Sequence, residues 1–239
     1  MQNNRFMNTA AASASQVDVG LRTYMLGVYN HMTTALLLTG FFAFAMKWAV
    51  LNVDGVGQVV YGSPLKWVVM LAPLGMVFWL SARMNAMSAT KARNMFYVYG
   101  ALMGVSLASV LFVYTGASVA RAFFITAGAF AGLSLYGYTT KRSLSAMGSF
   151  MVIGLFGLII ASIVNIFMAS TQLEFVISVA GVLIFAGLTA WDTQRIKSMY
   201  MAGDSADVAA KKSIFGALTL YLDFINMFLF ILRMFGNRE

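Results

Sequence analysis

The sequence predicts an all-α integral membrane protein with seven transmembrane helices. Three observations carry this. Of the 239 residues, 60% are hydrophobic and only 10% charged, a balance that belongs in a bilayer rather than in water. Several apolar stretches exceed about 18 residues, long enough to cross a hydrocarbon core of about 30 Å. The basic residues, finally, fall unevenly on alternate connections, as the positive-inside rule requires.

In chain order, residues 1–23 are polar and rich in Ala, Asn and Ser, and are expected as a cytoplasmic N-terminal segment. The first apolar stretch is too long for a signal-peptide core and lacks a small-residue cleavage site, so it reads as a retained helix. Seven spans follow, at roughly 24–47, 65–82, 95–115, 119–138, 147–169, 173–194 and 213–235, and residues 24–239 make a single transmembrane domain. The connections are short except for 49–64 and 195–212. With the N-terminus inside, eleven Lys and Arg lie on the cytoplasmic side and five outside. That bias puts the N-terminus in the cytoplasm and the C-terminus outside. A re-entrant last helix would move Arg233 and Arg238 inside as well.

Pro73 falls inside the second span, where it removes a helical hydrogen bond and bends the helix. Gly100 and Gly104, and again Gly128 and Gly132, stand four apart, the spacing that lets helix backbones approach closely. Asn165, Asn226, Thr34 and Thr219 are expected to hydrogen-bond between helices.

Composition also excludes chemistry. There is no cysteine and a single histidine, His31, so disulfides, thiol nucleophiles and multi-histidine metal sites are out. His31 reads as a packing or helix-end residue. No GxSxG or HExxH occurs, and span seven has no lysine for a retinal Schiff base; the chain is not expected to be an enzyme, nor to carry a cofactor. The net charge of +8 reflects topology and not nucleic acid.

What remains is acid in the wrong place. Asp223 sits in the middle of span seven, in "ALTLYLDFINMFLFILRMF", and Asp192 closes span six in "AGLTAWDTQRI". An aspartate at a helix centre costs about 2.5–3.5 kcal/mol on insertion scales. Such a residue faces the bundle interior, pairs with something, and marks an ion or proton path. Asp223 has no charged neighbour one turn away, so its partner comes from another helix or from water. Asp192 has two readings: half of a pair with Asp223, or an interfacial residue tied to Arg195 three positions on. Counting from Lys197 and Lys212 as the inner ends of the two spans puts Asp192 about 7 Å deep and Asp223 about 16 Å deep. Spacing alone therefore does not bring them together.

"GLTAWDTQRI" followed by "LTLYLDFINMFLFILRMFG" resembles the paired signature of the Bax inhibitor-1 family, the TMBIM-type membrane proteins with YccA- and YetJ-like bacterial members. "LYLDFIN" at 220–226 is the most specific element, and the seven-span layout agrees over nearly the whole chain. The resemblance implies six helices surrounding a central C-terminal seventh. It implies that Asp192 and Asp223 form a hydrogen-bonded, pH-sensitive pair in a calcium-leak pathway, serving as weak, transient Ca²⁺ ligands while calcium passes as the permeant ion. It also implies an arginine near the inner end of the second helix, for which Arg83 is the candidate charge partner. Asn226, three residues after Asp223, is a candidate supporting polar group.

The chain departs from the family pattern twice: the second helix carries no additional acid, and the sequence stops at "FGNRE" without a charged tail. The expected home is a bacterial inner membrane, not a cell-death role that depends on such a tail. The expected partners are the lipid bilayer, calcium ions and protons. The alternative is a non-conducting regulator, for example a subunit of a membrane protease complex, using residues 1–23 and the basic stretch 195–212 as contact surfaces.

Overall fold

The computed structural model describes residues 2–237, with side chains from residue 19 onward apart from residue 85. Its helices are α1 (Gln2–Asn52), α2 (Val56–Tyr61), α3 (Leu65–Arg83), α4 (Ala89–Leu107), α5 (Val110–Val113), α6 (Gly116–Thr139), α7 (Ser145–Met168), α8 (Thr171–Ser198) and α9 (Ala206–Phe235). A 3-10 turn, Met84–Ala86, joins α3 to α4. No strand occurs among the described residues. Seven stretches are long and apolar enough to cross a membrane: Val19–Asn52, α3, α4 with α5, α6, α7, α8 and α9.

Local chemistry sets where these helices begin. Ser88, Thr115, Ser170 and Ser205 each occupy the position before a helix and accept a backbone N–H from Lys91, Ser118, Leu173 and Val208 respectively. Each cap satisfies one of the amides that a helix start leaves unpaired. Capping and charge also shorten the expected connection 195–212. Its residues are helical up to Ser198 and again from Ala206, because the basic side chains find partners nearby. Lys197 Nζ donates to Tyr138 O at 2.8 Å. Lys212 Nζ donates to Met199 O at 3.0 Å and to Asp204 Oδ2 at 2.6 Å, and Lys211 pairs with Asp207 at 3.0 Å. Long basic side chains can thus serve helix ends while their stems stay in apolar surroundings.

The C-terminal helix is the core of the bundle. Fifteen of the 30 residues of α9 are buried, against two of the 24 in α7. α9 packs directly on α1, α4, α6 and α8. α3 packs chiefly on α4, and α7 on α8, so the ring of six is uneven: four helices clasp the centre and two stand outside them. α9 is unbroken over 30 residues, long enough for one complete crossing. Gly20, near the start of the first span, packs against Tyr200 in the α8–α9 turn. Asn237 meets Thr115 and Ser118 at the other end of the bundle. The start of the first span and the end of α9 therefore lie at opposite ends of the bundle.

The two GxxxG pairs behave differently. A Cβ on Gly100 would lie 2.9 Å from Ala35 O, and one on Gly104 would collide with Thr39 O. That pair lets α1 and α4 touch backbone to backbone. Gly128 and Gly132 have nothing within 4 Å, so no helix fills the second motif. Pro73 is buried inside α3, which runs on without interruption from Leu65 to Arg83.

Nor do the polar residues singled out above bond between helices. Thr34 donates to Asn30 O, Thr219 to Phe215 O and Asn226 to Leu222 O, each one turn back on its own helix. Asn165 accepts from Ser170 N across the α7–α8 turn. A hydroxyl or amide can always reach the carbonyl four residues back, and that option satisfies it without a partner helix. Other residues make the cross-helix bonds. Thr39 Oγ1 on α1 lies 2.8 Å from Gly100 O on α4 and 2.7 Å from the Tyr221 hydroxyl on α9. His31 Nδ1 meets the Tyr97 hydroxyl at 2.7 Å.

Candidate functional site

Small residues and ring contacts bring the two aspartates together. α8 and α9 run antiparallel, and two close contacts set their register. A Cβ on Gly216 would lie 2.8 Å from Ile196 Cγ2, and one on Gly181 would lie 2.6 Å from the Phe230 ring. These pairs place Asp192 opposite Leu220, one turn from Asp223, an offset of about 4.5 Å that two side chains can span. The larger depth difference inferred from sequence assumed that Lys197 and Lys212 mark the same level. They do not: in this register Lys197 lies beside Phe215, while Lys212 lies beside the turn, where it holds Met199 and Asp204.

The Asp192 and Asp223 carboxyls are within hydrogen-bonding reach of each other. Both residues are buried, with 5% and 4% of their surfaces exposed. Asp223 Oδ2 is buried, and no N–H or hydroxyl donates to it. A hydrogen bond between two carboxyls needs one proton, and ionising both in low dielectric sets two like charges side by side. Two carboxyls that share a proton titrate as a unit.

The cation beside the pair is Arg195. Its guanidinium lies 3.7 Å from Asp192 Oδ1, half-exposed, and rests over the Trp191 ring at 5.4 Å. Trp191 in turn lies flat on Gly148 of α7, where any Cβ would collide with its ring. The two readings of Asp192 are thus not exclusive: the same carboxyl faces Asp223 on one side and Arg195 on the other. Arg83 is exposed in the last turn of α3. Among the described residues, no hydrogen bond or ion pair joins it to either aspartate.

The pair lines a cleft of about 620 Å³ between α7, α8 and α9, together with Arg195, Thr219 and Asn226. Most of the remaining wall is apolar, from Leu155 and Ile159 of α7 to Phe185 and Phe230. Asn226 shares the cleft with Asp223 but spends its amide N–H on Leu222 O. No group of three or more His, Cys, Asp or Glu able to hold a metal ion occurs among the described residues; the two carboxyls are the acidic oxygens on the cleft wall, beside the neutral oxygens of Ser162, Thr219 and Asn226. Sequence reasoning missed Trp191 and Gly148. The four-residue step from Trp191 to Arg195 was visible, but Gly148 gave no signal because its partner is 43 positions away.

Comparison with known proteins identifies the family. The family model described as inhibitor of apoptosis-promoting Bax1 matches residues 21–239. The inner membrane protein YbhL of Escherichia coli strain K12 is 44% identical over 230 residues, covering 95% of this chain and 97% of that protein. An uncharacterised protein of Rickettsia prowazekii is 45% identical over 231 residues, covering 97% and 96%. One of Caulobacter vibrioides is 47% identical over 232 residues, covering 93% and 92%. The matched region takes in all seven spans and both aspartates: the chain belongs to the Bax inhibitor-1 family of membrane proteins.

Proposed function

We propose that this protein is a pH-sensitive calcium leak of a bacterial inner membrane, gated by the Asp192–Asp223 pair. The observation that carries the reading is the pair itself: two buried carboxyls in mutual reach, one oxygen without a donor, on the wall of a cleft. With the shared proton in place, α8 and α9 are tied together. Without it, two negative charges repel across a buried contact between the two helices. A passing cation then takes the proton's place, and carboxylate oxygens suit Ca²⁺. Two carboxylates are too few for a tight site, so calcium is bound weakly and released. Arg195 offsets part of the charge that deprotonation leaves behind.

The inner membrane location follows the printed name of YbhL, and the bias of basic residues favours a cytoplasmic N-terminus. Against the regulator reading, Lys197 and Lys212 spend their charges on backbone carbonyls and Asp204, and Lys211 pairs with Asp207 on the surface of its own helix.

The test is Ca²⁺ flux into proteoliposomes across mildly acidic to mildly alkaline pH. The proposal expects a slow flux that changes with pH and is absent from protein-free vesicles. Folded protein that passes no calcium at any pH would overturn it.

A further inference from the structure

A second cleft has no part in the aspartate chemistry. Successive residues of α9 face different clefts: Asp223 lines the first and Phe224 the second. α1 and α6 both pack on α9, and between them lies a groove of about 710 Å³ with Phe224 on its wall. Along α1 the groove runs from Arg22 to Leu36, about 21 Å at 1.5 Å per residue. That exceeds half of the ~30 Å hydrocarbon core, the depth of one leaflet. Ala127 and Ala131 of α6 keep it open.

Its ends differ. One end carries Arg22 and Tyr138, with Lys197 Nζ 4.7 Å above the Tyr138 ring. Arg22 is exposed and has no acidic partner among the described residues. The far end, at Leu36 and Phe123, is apolar. Exposed Leu26 and Leu135 form part of the rim, so the groove opens sideways towards lipid.

We infer that the groove between α1 and α6 holds one acyl chain of an anionic phospholipid, with the phosphate on Arg22. The shape and charge match that ligand: a cationic end at headgroup depth and an apolar trough below it. Basic pockets between membrane helices take anionic headgroups for this reason. A second copy of the chain fits worse. Copies of the same orientation are related by an axis along the membrane normal, which holds every Arg22 at the same depth and, in a twofold pair, sets groove against groove and one Arg22 beside the other. The inference does not depend on calcium conduction.

The experiment uses the full chain in nanodiscs of equimolar phosphatidylcholine and phosphatidylglycerol, with either lipid carrying a photoreactive acyl chain. The expected crosslinks concentrate on residues 25–36 and 127–138, and phosphatidylglycerol is captured in preference by about fivefold, the pull of one guanidinium at a membrane surface. Arg22→Gln should remove the headgroup preference and keep the groove crosslinks, while Arg22→Lys keeps both. Ala131→Trp should remove groove crosslinks and leave those on the exposed face of α7. Leu26→Trp closes the groove from the other side and replaces Ala131→Trp if the latter does not fold. Three outcomes overturn the inference: groove crosslinks no denser than those on α7, a headgroup preference that survives Arg22→Gln, or chain-to-chain crosslinks through residues 127–138 with lipid excluded.

Discussion

Asp192 on α8 and Asp223 on α9 face each other across the helix pair, within hydrogen-bonding reach, although 30 residues and a turn separate them in the chain. The contact exists because Gly216 and Gly181 let the two helices close on Ile196 and Phe230. A shared proton would make the two residues one titrating unit.

Asn at either position keeps the size of the side chain and its capacity to hydrogen-bond, but not the titrating proton. Asp192→Asn and Asp223→Asn should each abolish the same pH midpoint of calcium flux. The double variant should add little, since partners in one unit are non-additive. Flux against pH for the four proteins decides it. Single variants that keep the wild-type midpoint, or effects that simply add, would leave Asp192 as a partner of Arg195 alone.

The two candidate arginines make different predictions. Arg195 lies 3.7 Å from Asp192, and removing its charge favours the protonated pair over the ionised one. Arg195→Gln should therefore shift the pH profile of flux. Arg83→Gln, at the exposed end of α3, should leave it in place. A shift with Arg83→Gln and none with Arg195→Gln would reverse the assignment.

Packing distinguishes the two glycine pairs. Gly104→Leu must push α4 off Thr39 and Ala43 of α1, and overpacking of this kind costs about 1–3 kcal/mol. Its thermal unfolding midpoint in detergent should fall. A Cβ on Gly132 meets nothing within 4 Å, so Gly132→Leu should unfold with the wild type. Equal losses at the two sites would show that the α1–α4 contact is not special.

With seven crossings, the two termini should fall on opposite sides of the membrane. A fluorescent reporter active only in the cytoplasm should light at the N-terminus and stay dark at the C-terminus, and a periplasm-dependent phosphatase should show the reverse. The same compartment for both ends would remove the seven-crossing topology.

Much of this protein could be read from its residues one after another. Seven apolar runs of spanning length fix the number of membrane-spanning helices, because a backbone in hydrocarbon has to satisfy its own hydrogen bonds. The cost of a mid-helix carboxylate marks Asp223, whatever surrounds it. The sequence also carries the family signature around both aspartates. Other features depend on which helices touch. Gly100–Gly104 and Gly128–Gly132 are the same motif, yet only the first meets a backbone. Three of the polar residues that looked like cross-helix links, Thr34, Thr219 and Asn226, turn back on their own helices and Asn165 serves the adjoining turn, while Thr39 and Tyr221, unremarkable in sequence, join three helices. The meeting of Asp192 and Asp223 was likewise decided by tertiary structure. Charge counting levelled Lys197 with Lys212, and packing against Ile196 and Phe230 displaced that register by one turn. Spacing along a chain records depth within one helix; the offset between two helices is set by the side chains that interlock between them.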